Sequence, residues 1–169
     1  RRAALGATEW LLASGYRNVL VDVRNEIGSG EGLLQSGRIH ELVEQIQGTT
    51  RDGRRLLVGV STHPRHHLPP GAWSQAVDFF MPHGNDSAPQ ELAARLRGLR
   101  ASDAYRSNPR PLLINEDSVI VESLDAAVSE YVSWGFYCQG YGSGYRDQRW
   151  DWTTHERERR YQELSGYQT

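Results

Sequence analysis

Lysine is missing altogether: every one of the 19 basic residues in this 169-residue chain is an arginine. A Schiff base on lysine and a lysine-bearing phosphate loop are therefore excluded. Cysteine occurs once, at Cys138, so neither an internal disulfide nor a cysteine-built zinc site can form, and the redox compartment stays open. The longest uncharged stretch, Tyr131 to Tyr145, is interrupted by Gly, Ser and Gln and does not read as a membrane span. Against the arginines stand 21 acidic residues, a net charge of −2, which gives neither a nucleic-acid footprint nor a polybasic membrane surface. At the front, Arg1-Arg2-Ala3-Ala4-Leu5 meets Thr8 and Glu9 with no small-residue cleavage site, so it is no signal peptide. It reads as mid-helix without an initiator Met, and the chain is expected to be cut there.

What is present suits one domain over residues 1–169, since a hydrophobic share of 38% supports a core. Short apolar runs alternate with helical ones. Strands are predicted at Val19–Val23, Leu56–Val60, Val77–Met81, Pro111–Asn115 and Trp134–Cys138. Helices are predicted at about Arg2–Ser14, Leu33–Gln47, Gln90–Leu99, Leu124–Val132 and Thr153–Leu164. The strands are continuously apolar, as in a parallel sheet covered by helices, and their starts lie 37, 21, 34 and 23 residues apart. The class is α/β. Two architectures fit: part of a (β/α)₈ barrel, or a complete flavodoxin-like three-layer sandwich.

In both, chemistry collects beyond the carboxyl ends of the strands. The predicted strands exit into Asn25-Glu26, Ser61-Thr62-His63, His83-Gly84-Asn85, Asn115-Glu116-Asp117 and Gln139-Gly140-Tyr141. A single polar strand end is ordinary, because helix caps and water gather there. Two Asn-Glu pairs three strands apart are less so. Glycoside hydrolysis needs such a pair: one carboxylic acid to protonate the leaving oxygen, one carboxylate to attack or stabilise the oxocarbenium-like centre.

On these residues the chain resembles the cellulase-like retaining (β/α)₈ glycoside hydrolases of clan A. Val21-Asp22-Val23-Arg24-Asn25-Glu26 looks like their fourth strand and Leu112-Leu113-Ile114-Asn115-Glu116 like their seventh, with two strands and 90 residues between the glutamates. Phe79 to Asn85 falls at the sixth strand, and Ser133-Trp134-Gly135-Phe136-Tyr137 at the eighth. The resemblance implies Glu26 as acid/base, Glu116 as nucleophile and Asn25 as a contact to the sugar 2-hydroxyl. It implies a saccharide substrate, no cofactor, and a missing N-terminal part with strands one to three and their usual Arg. Ile27 stands where the family carries Pro. Trp134, Tyr137 or Tyr141 would supply the aromatic platform. The alternative is a non-enzymatic sandwich that binds a ligand or signals.

Other patterns point less far. His63, His66, His67 and His83 have no metal-motif spacing, so no metal is expected, and His63, His83 and Asn85 suit sugar hydroxyls or a carboxylate instead. Gly28-Ser29-Gly30-Glu31-Gly32 lacks the dinucleotide spacing and carries an acid that repels phosphate, which leaves a loop over the cleft. The aromatic segment Tyr137 to Trp152 suits either a saccharide or a packed surface. Ser61, Ser118 and Cys138 have no nucleophile elbow and no evident base.

Overall fold

Runs of β-branched and large apolar residues dictate the strands. In the computed structural model, which describes residues 1–27, 32–63, 71–85, 87–118 and 120–135, they pair in chain order. β1 (Leu20–Asp22), β2 (Leu57–Thr62) and β3 (Phe79–Pro82) form a three-stranded parallel sheet in the order β1-β2-β3. β4 (Leu113–Ile114) and β5 (Ser133–Trp134) form a parallel pair. A parallel bridge between Phe80 and Leu112, with Phe80 N–H donating to the Pro111 carbonyl at 3.0 Å, ties β4 to β3. The described strands do not close into a barrel.

Around them run α1 (Arg2–Ala13), α2 (Ile39–Gly48), α3 (Ala72–Ala76), α4 (Pro89–Ala101), α5 (Asp103–Ser107) and α6 (Val121–Ser129). None of these helices is long and apolar enough to cross a membrane. Alternate strand residues, Val58, Val60, Phe80, Leu112 and Ile114, join Ile39, Val43 and Ile46 of α2, Trp73 of α3, Leu92 and Leu96 of α4 and Ala127 of α6 in one core. Because successive strand residues face opposite sides, these helices lie on a single face. The other face carries Leu20, Asp22, Leu57, Gly59, Ser61, Phe79 and Met81, aligned by the register Asp22–Gly59–Phe79.

Asp78, just before β3, stitches the layers. Its carboxylate accepts two bonds from Arg55 at 2.7 Å, one from the Val58 N–H at 2.9 Å and one from Gln47 of α2 at 3.1 Å. Burial pushes its pKa up, but these donors outweigh burial and hold it below the ordinary value.

The structure corrects the sequence reading in several places. A flavodoxin-like sandwich needs its first strand between the second and third and helices on both faces; here β1 lies outside β2, and the helices share one face. The helix predicted over Leu33–Gln47 splits into a 3₁₀ turn at Gly32–Leu34 and α2, because Ser36-Gly37 breaks the run and leaves Leu34 exposed. The helix predicted over Leu124–Val132 starts and stops three residues earlier. Tyr131 takes a left-handed φ of 54°, and Val132 N–H bonds back to the Ala127 carbonyl at 3.0 Å, a Schellman stop without the glycine that would mark it. α5 follows Ser102, whose hydroxyl caps the Tyr105 N–H, and has no counterpart in the sequence reading. The predicted helix Thr153–Leu164 lies outside the described residues.

Glycine packing gives a direct check. A Cβ on Gly59 would lie 2.5 Å from the buried ring of Phe79, whereas one on Gly98, inside α4, would meet nothing within 4 Å. Gly59→Ala is expected to destabilise by about 1–3 kcal/mol and Gly98→Ala to stabilise by about 0.5–1 kcal/mol. Urea melts measure both, and a neutral Gly59→Ala would contradict this packing.

Candidate active site

The loop leaving β1 is shaped by a half-buried carboxylate. Asp22 Oδ1 accepts from the backbone N–H groups of Arg24 and Ser61, both at 3.1 Å. The chain then turns so that Glu26 adopts φ 47°, a left-handed conformation that costs an ordinary side chain free energy. Its N–H donates to Ser61 Oγ at 2.9 Å, and the next N–H, of Ile27, donates to the Ser61 carbonyl at 2.8 Å. Ile27 is buried in the core, which anchors the far side of the turn.

The exit of β3 provides the partners. His83 N–H joins the Thr62 carbonyl, extending the parallel ladder by one residue. Gly84 follows, where a Cβ would sit 1.7 Å from Asp117 Oδ1, so no side chain fits. Gly84 N–H donates to the Glu116 carbonyl at 2.8 Å, tying this rim to the exit of β4. Asn85 is left-handed at φ 46°, a conformation asparagine tolerates, and turns its amide toward Glu26.

Three strand ends thus meet. Glu26 Oε1 accepts from Asn85 Nδ2 at 2.7 Å and from His83 Nδ1 at 3.1 Å; the same ring nitrogen lies 3.7 Å from Glu116 Oε2. Burial raises the pKa of Glu26, yet the bonds from Asn85 and His83 and the charges of His63 and His83 outweigh it and hold Glu26 below its ordinary value. Glu116 is pushed up by burial and by the charges of Glu26 and Asp22, against the pull of His83. Two carboxyls of like chemistry are driven apart by their surroundings.

Carboxylate oxygens of Glu26 and Glu116 and a His83 ring nitrogen all lie within 4.8 Å of one another, a spacing that a divalent ion can fill. However, the His83 nitrogen is already bonded to Glu26, and the Asn85 amide directs a donor at the same oxygen, where its positive end would repel a cation. An ion there would have to displace the contacts that His83 Nδ1 and the Asn85 amide make to Glu26 Oε1.

Of the residues singled out from sequence, Glu26, Glu116, His83 and Asn85 converge. His63 is half-buried on the exit of β2 and acts on Glu26 through its charge. Asn25 is exposed beside Glu26. Trp134 packs against the core and donates its indole N–H to Asp117 Oδ2 at 2.7 Å, so its polar edge is occupied. Tyr137, Tyr141, His66 and His67 lie outside the described residues, as does most of the Gly28–Gly32 loop. Asp22, Gly84 and Asp117 have structural roles here that the sequence reading did not assign. One signal was available: Asp22 is the lone polar residue in the run Val19–Val23. Comparisons with family models, with curated proteins and with solved structures find no match.

The opposite shifts of the two glutamates make opposite pH signatures. Glu26, lowered on folding, contributes stability that is present above the ordinary glutamate value and is lost as pH falls through its folded value. Glu116, raised on folding, carries a penalty that is present above its folded value and fades on acidification toward the ordinary value near about 4.3. Glu26→Gln should therefore melt below wild type at pH 7, and Glu116→Gln above it. Both differences should shrink as the pH is lowered. Melting curves across that range test this, and shifts of the same sign at pH 7 would contradict it.

Proposed function

We propose that this chain carries the carboxylate pair of a retaining glycoside hydrolase and forms strands four to eight of a (β/α)₈ barrel. The observation that carries the reading is the convergence of Glu26 and Glu116, 90 residues apart, with carboxylate oxygens within 4.8 Å. Carboxyls about 5–5.5 Å apart act as acid and nucleophile, whereas about 6.5–9.5 Å admits an attacking water; one oxygen of each glutamate within 4.8 Å is compatible with the closer arrangement. Chain-order parallel pairing, helices on one face and a β1 edge that pairs only with β2 among the described residues support the barrel.

In this reading Glu116 attacks the anomeric carbon while Glu26 gives its proton to the leaving oxygen. Glu26 then takes a proton from water, whose oxygen displaces Glu116 with net retention. No cofactor takes part. His83 and Asn85 hold the Glu26 carboxylate in place. The chain's own surroundings favour the opposite order in the free site, since they lower the pKa of Glu26 and raise that of Glu116. The proposed roles need a cation from strands one to three beside Glu116, as the resemblance implies. A second reading, with the roles exchanged, follows from those surroundings.

Turnover of aryl glycosides by the complete barrel decides between them. Glu116→Gln should abolish activity on every substrate. Glu26→Ala should lose at least about 10²–10⁴ on unactivated glycosides, keep glycosylation by an activated aryl glycoside, and regain turnover with azide to give a product of retained configuration. Azide rescue of a Glu116 variant alone would exchange the roles. Near-wild-type activity in both would end the hydrolase reading.

A further inference from the structure

Ser61 is entirely buried near the end of β2, and its polar atoms are committed to Asp22 of β1 and to the loop that carries Glu26. Its N–H donates to Asp22 Oδ1 and its hydroxyl donates to the Arg24 carbonyl, both at 3.1 Å. The same hydroxyl oxygen accepts the Glu26 N–H at 2.9 Å, and the Ser61 carbonyl accepts the Ile27 N–H at 2.8 Å. A hydroxyl with one donor and two acceptor sites is what this role requires, since it must bond a carbonyl and an N–H at once. We propose that Ser61 is a positioning residue that clamps the β1 exit loop and thereby sets the Glu26 carboxylate against Asn85 and His83.

The argument is one of geometry. Glu26 is held in a left-handed backbone conformation that an L-residue leaves readily. Its N–H points at no backbone carbonyl in the β1–β2 ladder, which ends with Val23 N–H on the Gly59 carbonyl and resumes with Ile27 N–H on Ser61. The hydroxyl of Ser61 fills that gap. Alanine there removes the hydroxyl's bonds to the Arg24 carbonyl and to the Glu26 N–H beside buried Ile27, and the turn relaxes toward ordinary φ. The carboxylate then swings off the Asn85 and His83 donors.

The catalytic consequence rests on the two-carboxylate reading, whereas the structural one does not, so the test separates them. Carbon-13 carboxyl NMR of glutamate-labelled chain, with the Glu26 signal assigned by Glu26→Gln, follows the titration directly. In Ser61→Ala the Glu26 midpoint should move up toward the ordinary glutamate value, while Glu41, ion-paired to Arg38 on the surface of α2, stays where it is. On an activated aryl glycoside, kcat of the complete barrel should fall about tenfold, the worth of one hydrogen bond, with KM little changed. If Ser61→Ala does not fold, Ser61→Cys keeps the shape with a poorer acceptor and should move the midpoint the same way by less. An unchanged Glu26 midpoint in a folded Ser61 variant overturns the clamp. A moved midpoint in a protein that turns over no glycoside keeps the clamp and ends the hydrolase reading.

Discussion

A carboxylate half-withdrawn from water stays ionised only where donors replace the water, and the donors to Glu26 come from a strand two places along the sheet. Asn85 and His83 leave β3, Glu26 leaves β1, and β2 lies between them. The contact exists because three parallel strands end at one level, and that level is set by the register that places Asp22 beside Gly59 and Gly59 beside Phe79. A slip of one residue would turn Asp22 and Ser61 to the helix-covered side and dissolve the rim.

Several local costs are concentrated there. Two of the left-handed non-glycine residues among those described, Glu26 and Asn85, face each other across this contact. Asp22 and Asp117 are carboxyls raised by burial, and each is tied to a rim loop: Asp22 to the turn before Glu26, Asp117 to Trp134 while pressed against Gly84. Backbone strain and buried acids are tolerated where the surroundings over-determine them, and such places are commonly functional. The anchoring is supplied from below by the apolar core around Val60, Phe80 and Ile114, and at the opposite end of the sheet by the Asp78–Arg55 pair.

The α/β class, the strand locations and the two Asn-Glu strand ends were legible because their signals are local. A five-residue apolar run beside a helical repeat needs no partner to be read. Boundaries were less legible for the same reason. Tyr131 ends α6 in a conformation usually left to glycine, and Ser36-Gly37 delays α2, so the apolar period alone places both helices wrongly. The sandwich alternative survived in sequence because strand order leaves no mark on composition. It is excluded by which strands touch, since β1 lies outside β2.

Sequence alone determined which residue types reach the strand ends, since a polar residue closing an apolar run is already written in the chain. It also determined that none of these 169 residues is a lysine and that a single cysteine forms no disulfide within them. Only the tertiary structure decided that Glu26 and Glu116, 90 residues apart, share one imidazole, because proximity at that separation is a property of pairing and register. It alone decided which glutamate is solvated by donors and which faces other acids. The protonation of a carboxyl follows from the few ångströms around it, and those are supplied by residues distant in the chain.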